Sequence, residues 1–427
     1  MKVLWVTNLV ARPGESVADP QSAVFGGWIA TMAQALKSQS EIEISILVRT
    51  RTRAAHRQVL HGVSHYYVPL ARRNKWRVDE AALRSTIDDA APDILHIEGA
   101  EMPHALQAAH AFCGPVIVSV QGVLKGLEPY EFGGLPFERW ALMVNRPRRA
   151  IMAAAHIGNK FIYFRPRLST EAAVMARADH LIGRTQWDRA YCAELAPGTP
   201  YSAVGRILRP AFYEHRRAQD VRYRHSLFLG NANHPRKGAH VVVAALKRLA
   251  ARFYDCSLLI AGEPPRPSAM RLKAAAGYPA HLAGEIEAAG LSNRVRYTGV
   301  LGAVDMAEAM ASSHVFVLSS LIENSPNTLG EAMMLGMPAV CAAAGGAPDM
   351  AAPDREALFY RPEDPVCLTH QVSRIFECDA LAASLGKAAA QRARRNHDPK
   401  TNAHHLLSAY EAVLSQSSPT RLFEEAA

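Results

Sequence analysis

Short apolar runs alternate with helically spaced apolar residues from the start of the chain. Residues 3–7, 42–48, 93–97, 116–120 and 180–182 read as strands. Strands and helices in alternation imply βαβ units, in which each crossover helix returns the chain to lay the next strand parallel to the last. Near residue 224 the pattern begins afresh with Ser226-Leu227-Phe228-Leu229-Gly230, followed by a helix carrying Val242, Leu246, Leu249 and Phe253 on one face. Further strands are expected at residues 258–261, 295–298, 315–318 and 339–341. The expected fold class is α/β, two Rossmann-like doubly wound domains facing a cleft. One domain is expected over residues 1–218 and a second over 219–399. The charged, pattern-free residues 214–220 read as the linker, and a helix at about 400–415 is expected to pack back on the first domain.

Composition narrows the picture. At 427 residues the chain is too long for one ordinary core, and 49% hydrophobic with 20% charged residues is the balance of a soluble globular protein. A formal charge of +9 favours anionic partners such as nucleotide phosphates, acidic glycans, nucleic acid or an anionic lipid surface. Nucleic acid is disfavoured, because no basic-aromatic motif or recognition-helix signature accompanies the charge. The six cysteines are scattered without metal-ligand spacing and read as buried, unpaired thiols of a reducing compartment. The opening residues read as a strand rather than a signal core, and no apolar run approaches the roughly 18–20 residues that span a bilayer. The expected location is cytoplasmic, with at most peripheral contact at the membrane face. Residues 125–167 break the rhythm with Gly133-Gly134, Pro136 and Pro147, and set Phe137 and Trp140 beside several arginines. One reading is a connection with a solvated basic face; the other is a contact for an acceptor or an anionic membrane.

Two segments carry candidate chemistry. Glu323-Asn324-Ser325-Pro326-Asn327-Thr328-Leu329-Gly330-Glu331 follows an apolar strand. Ser325 suits an N-cap, Pro326 the first helical position, and Gly336 the helix end. The amides of Asn327, Thr328 and Leu329 would then face the carboxyl end of a parallel sheet, where such folds bind phosphate. Glu331 is placed to accept ribose hydroxyls and Glu323 to hold a sugar; the alternative is an exposed helix residue and a loop anion. The second segment is Gly230-Asn231-Ala232-Asn233-His234-Pro235-Arg236-Lys237-Gly238. Cations at a helix start oppose the dipole and cost a few tenths of a kcal/mol unless an anion sits there, so Arg236 and Lys237 suggest bound phosphate. A pyrophosphate held between opposite walls of an interdomain gap, with the lysine on one strand-to-helix junction and amides on another, is the arrangement expected.

Together these segments resemble the retaining glycosyltransferases of family 4, with the GT-B fold, and in particular bacterial members that build polysaccharides or lipid-linked glycans. The resemblance rests on Lys237-Gly238, on Glu323 and Glu331 as a Glu-x7-Glu element, on Asn-Thr-Leu-Gly-Glu-Ala, on Gly345-Gly346-Ala347-Pro348 and on Tyr297-Thr298-Gly299. It is strong over about residues 227–364 and looser before. There Gly26-Gly27 resembles the glycine loop beneath the donor diphosphate, and Gly183-Arg184-Thr185-Gln186-Trp187-Asp188 a segment of polysaccharide-building members. Two departures stand out. Asn231 replaces a common arginine, so that either Arg236 substitutes or one charge is missing, and Gln121 replaces a common histidine and cannot titrate. His96 and Glu98 end a neighbouring strand, either facing the acceptor beside Gln121 or packing.

The resemblance implies sugar transfer from a nucleotide-sugar donor to a hydroxyl of a glycan or lipid-linked acceptor, with retention. Lys237 and Glu323 would be the catalytic residues. No Asp-x-Asp occurs, so no metal or other cofactor is expected. The competing readings are a nucleotide-sugar epimerase or hydrolase on the same fold and a non-catalytic nucleotide-sugar or glycan-binding protein. A dinucleotide dehydrogenase is disfavoured, since no Gly-x-Gly-x-x-Gly follows the first strand.

Overall fold

The structure is a computed structural model that describes residues 1–11, 27–72, 74–134, 158, 160–216, 223–264 and 278–417. Gly26, Phe137, Trp140 and most of the basic stretch 125–167 lie outside the described residues. The chain forms two units, each with its own sheet. The first holds residues 1–125, 166–207 and 398–427; the second holds residues 126–165 and 208–397.

In the first unit the strands are β1 (Lys2–Ala11), β2 (Glu43–Thr50), β3 (His56–Leu60), β4 (Val63–Ala71), β5 (Asn74–Val78), β6 (Ile94–Glu98), β7 (Val116–Ser119), β8 (His180–Gly183) and β9 (Tyr201–Ala203). Their order is β3-β4-β2-β1-β6-β7-β8-β9, with β5 on β4. All pairings are parallel except those of β3 and β5 with β4. The parallel strands are apolar on both faces, as a sheet covered by helices on each side requires. The order reverses between β1 and β6, so the first crossovers leave a crevice at the carboxyl ends of these two strands. Pairing of β1 with β2 slips between Val6 and Val10, and its pairing with β6 ends at Thr7 and Glu98.

The helix Pro399–Ser417 returns to this unit and packs on the helix Gly27–Lys37. A buried polar chain fixes it. Trp5 donates its indole N–H to Tyr410 Oη at 2.9 Å, and His96 Nδ1 lies 2.6 Å from the same oxygen. The other ring nitrogen of His96 lies 2.7 Å from Ser119 Oγ. Burial lowers the imidazole to about 3, so the ring is neutral. With Trp5 donating, the Tyr410 hydroxyl gives its proton to Nδ1, and Nε2–H donates to Ser119.

The second unit carries β10 (Tyr223–Leu229), β11 (Ser257–Ile260), β12 (Val295–Tyr297), β13 (Ser313–Leu318), β14 (Ala339–Ala342) and β15 (Leu358–Tyr360), all parallel in the order β12-β11-β10-β13-β14-β15. Numbered within the unit this is 3-2-1-4-5-6, the Rossmann order, with its switch point between β10 and β13. The unit begins earlier than the sequence boundary at 218. Leu208, Ala211 and Phe212 are buried among Phe316, Leu329 and Met333, so the apolar residues before the charged linker already belong to the second core. Residues 126–134 also join this unit, with Phe132 against its core. The cysteines also depart from expectation: all six are free thiols, but Cys113, Cys367 and Cys378 are exposed. Cys378 sits at a helix start, where its sulfur accepts the Leu381 amide.

Tyr410→Phe removes one hydroxyl, the partner of the Trp5 indole N–H and of His96 Nδ1. It is expected to cost about 1–3 kcal/mol in urea unfolding; a loss under a few tenths would show that the polar chain does not hold the terminal helix.

Candidate active site

The switch point of the second unit brings two strand-to-helix loops side by side. After β10, residues 230–238 run through a short 3-10 turn, Pro235–Lys237, into the helix Ala239–Arg252. After β13, residues 319–326 lead into the helix Asn327–Leu335. The loops are bonded along their main chains. Leu321 N–H donates to the Arg236 carbonyl at 2.8 Å, and Ser319 Oγ donates to the Lys237 carbonyl at 2.7 Å. On the other side, Gly346 N–H donates to the Glu323 carbonyl at 2.9 Å.

Two glycines make this approach possible. Gly238 has φ +68°, and a Cβ there would lie 2.0 Å from the Ser319 carbonyl oxygen. Gly345 has φ +56°, and its Cβ would lie 2.0 Å from the Glu323 carbonyl oxygen. Any side chain at either position would both strain the backbone and strike main chain. The Lys-Gly and Gly-Gly motifs therefore have one physical meaning, a loop gripped from both sides.

The side chains fall in place on this frame. Lys237 forms an ion pair with Glu323, both partly buried. Asn231 accepts the Asn233 amide at 2.8 Å, which closes its own loop into an Asx turn. Arg236 donates to Glu131 Oε2 at 2.8 Å, and His234 Nε2 lies 3.3 Å from Glu131 Oε1. The guanidinium is therefore paired with a buried carboxylate, as Lys237 is paired with Glu323. Glu131 was not singled out in the sequence; it lies 105 residues away and carries no motif.

The helix start also differs in detail. Its N-cap is Pro326, not Ser325, whose hydroxyl reaches Met350 Sδ at 3.7 Å. A cap side chain on residue 325 would lie one position too early. Leu329 N–H is taken by the Pro326 carbonyl at 3.0 Å, so it does not face a ligand. Asn327 and Thr328 occupy the first turn, which contains no acidic residue, and the Thr328 side chain lies over Gly230. Gly336 closes the helix with φ +78°. Glu331 is buried and accepts from Arg209 Nε at 2.8 Å; burial pushes its carboxyl up and Arg209 pulls it down. Arg209 is a second residue that the sequence did not mark. Lysine and amides thus stand on adjacent strands of one sheet, which corrects the picture of facing walls in two domains.

In the first unit, Gly27 begins its helix, with Thr31 Oγ1 donating to the Gly27 carbonyl at 2.9 Å. His96 is closed in the core by Tyr410 and Ser119, so it packs and does not face an acceptor. Gln121 donates to Glu98 at the ends of β7 and β6. Burial pushes the Glu98 carboxyl up to about 7, against the pull of Arg184, Arg206 and the Gln121 amide. Asp188 and Thr185 form a reciprocal capping box, which gives the Arg184-Thr185-Gln186-Trp187-Asp188 segment a structural role.

A parallel sheet of order 3-2-1-4-5-6, with a lysine and a helix N-terminus at its switch point, defines a Rossmann-like domain. Residues 224–378, spanning every donor-side candidate from Asn231 to Glu331, match the family model for glycosyl transferases group 1. That stretch of the second unit is thus similar to a glycosyl transferases group 1 domain. The 2-deoxystreptamine N-acetyl-D-glucosaminyltransferase of Niallia circulans is 28% identical over 159 residues, 37% of this chain and 38% of that protein. The phosphatidyl-myo-inositol mannosyltransferase of Mycolicibacterium smegmatis is 29% identical over 188 residues, 44% of this chain and 45% of that protein. The chain thus matches less than half the length of either curated relative. Sucrose-phosphate synthase from Thermosynechococcus elongatus superimposes with TM-score 0.72 at 16% identity, covering 98% of this chain and 100% of the other. HepE of Anabaena, crystallised with UDP, gives TM-score 0.66 at 15% identity, over 96% and 100%. These structures share the fold, which is of the GT-B class with two Rossmann-like domains. Among the described residues no helix is long and apolar enough to cross a membrane.

The Glu98 carboxyl generates a pH dependence. Its folded pKa of about 7 exceeds the ordinary 4.5, so its contribution to stability is full below about 4.5 and is lost as pH rises through 7. Glu98→Gln removes the ionisation. Between pH 5 and pH 8 the variant is expected to lose less unfolding free energy than the parent; equal losses would refute the assignment.

Proposed function

We propose that the protein moves a sugar from a nucleotide-sugar donor to an acceptor hydroxyl with retention of configuration. The observation that carries this reading is Lys237 beside Glu323 next to the first turn of Asn327–Leu335, at one switch point. The names of the relatives, two sugar transferases, and the UDP bound by HepE support it.

In this reaction the acceptor oxygen attacks the anomeric carbon on the face the diphosphate leaves. The carbon–oxygen bond to the diphosphate breaks, and the acceptor proton passes to a departing phosphate oxygen. No protein base takes part. The Lys237 ammonium and the helix amides stabilise charge growing on the leaving group, and Glu323 orients sugar hydroxyls. Glu331, held by Arg209 through one oxygen, is placed to meet the ribose. The sequence has no Asp-x-Asp to hold a metal against diphosphate, which supports metal-independent transfer. The non-catalytic reading draws support from Asn231 and Gln121, which stand where similar transferases commonly have arginine and histidine.

A charge pair at about 4 Å and an effective dielectric of about 20 is worth about 4 kcal/mol, roughly a thousandfold in rate if realised in the transition state. Lys237→Ala is expected to lower kcat by about that factor in a donor-consumption assay while the chain stays folded; unchanged turnover would favour a binding protein. Full activity is expected in excess chelator. Complete dependence on added magnesium would exclude the metal-free mechanism.

A further inference from the structure

The first unit has its own switch point, between β1 and β6, and arginines gather there. Arg49, on β2, is 4% exposed. It donates to the Asn8 carbonyl at 2.7 Å, and its Nε has no acceptor. Arg184, after β8, donates to the Val120 carbonyl, and its Nε likewise has none. Arg167 Nε donates to the Glu101 carbonyl at 3.0 Å. The Arg206 guanidinium lies 4.4 Å from the ring centre of Trp28, in the first turn of Gly27–Lys37, which carries no acid. Arg184 and Arg206 act electrostatically on each other and on Glu98; Arg49 and Arg167 do so on Glu101.

Glu98 takes the Gln121 amide, and Glu101 takes the Asn8 amide on Oε1 at 2.6 Å while its Oε2 has no hydrogen-bond partner. Asp188 accepts the Arg184 amide at 2.9 Å and the Tyr201 hydroxyl at 2.7 Å; Glu171 accepts the Leu124 amide at 2.9 Å. Among the described residues, neither Arg49 nor Arg184 therefore enters an ion pair, and both give their guanidinium hydrogens to main-chain carbonyls. A buried guanidinium left with an unmatched N–H is costly and matches a planar oxyanion. The place is where an open α/β sheet receives its ligand.

We propose that this cluster receives an oxyanion, a carboxylate or a phosphate, on the acceptor, so that the acceptor is an acidic sugar or a phosphorylated sugar or polyol. The inference rests on the transferase reading, in which the second unit holds the donor. Neutral sugars leave the two unmatched Nε–H groups as they are; an oxyanion satisfies them.

The test is calorimetric titration of the full chain with glucuronate, glucose 6-phosphate and glucose at fixed ionic strength, with and without saturating UDP. Both anionic sugars are expected to bind about tenfold or more tightly than glucose in the presence of UDP. Arg206→Gln and Arg49→Gln are each expected to abolish that preference while leaving UDP affinity unchanged. Arg206 is the less buried, so its variant decides the matter if Arg49→Gln fails to fold. Equal affinity for the three sugars, or a preference that survives both substitutions, would overturn the proposal. So would loss of anion binding on saturation with UDP, which would assign the cluster to the donor diphosphate. Absence of UDP binding alongside the anion preference would instead sink the donor reading and leave an anionic-sugar site.

Discussion

The carbonyl oxygen of Ser319 lies where a side chain on residue 238 would begin, and that of Glu323 where one on residue 345 would begin. The loop after β13 is therefore held between two glycines in the left-handed region, with main-chain hydrogen bonds on both sides. This contact sets the geometry of the site, because it fixes Lys237 and Glu323 against each other through backbone rather than through flexible side chains. Nothing larger than hydrogen fits at either glycine, which is a stricter demand than the left-handed φ alone.

On this frame three cations of the second unit meet carboxylates: Lys237 meets Glu323, Arg236 meets Glu131 and Arg209 meets Glu331. Pairs of this burial are weak evidence for stability, since desolvation offsets much of the attraction, but removal of one partner leaves the other charged and uncompensated. Their effect is to fix position. Glu131 holds the turn that carries Lys237 by two of its residues, and Arg209 fixes Glu331 near the helix core. Two arginines of the first unit behave otherwise: Arg49 and Arg184 each donate to a main-chain carbonyl, which orients a guanidinium without neutralising it.

The fold was legible where burial imposes a pattern. Parallel strands covered on both faces are continuous apolar runs, and these marked β1, β2, β6, β7, β8, β10, β11, β12, β13 and β14. The hairpin of β3 and β4 escaped, although His61 and Gly62, both at positive φ, form the kind of turn that joins such strands. His56-Arg57-Gln58-Val59-Leu60 is almost wholly exposed, so no burial pattern marks it. In the site, Lys237-Gly238, Glu323 and Glu331 were legible because strand, loop chemistry and helix start coincide in one stretch of chain. The partners Glu131 and Arg209 were not, since each is set by tertiary packing 105 and 122 residues away. The one-residue error at Ser325 has a local cause: a serine before a proline suggests a cap, but Pro326 takes extended backbone with ψ 115° and becomes the cap itself.

The pairing of Lys237 with Glu323 bears on when the lysine contributes. In the proposed reaction a ground-state diphosphate draws the ammonium from one anion to another, so one charge-assisted bond replaces another and the net gain in affinity is small. As the bond to the anomeric carbon breaks, negative charge grows on the leaving oxygen while Glu323 keeps its own. The lysine then interacts more strongly with the phosphate than it did with the carboxylate, and the difference falls on the transition state. The freed carboxylate gains hydroxyl donors from the sugar at the same time. A lysine unpaired in the free protein would bind donor and transition state alike and lower the barrier less; the ion pair converts binding into differential stabilisation.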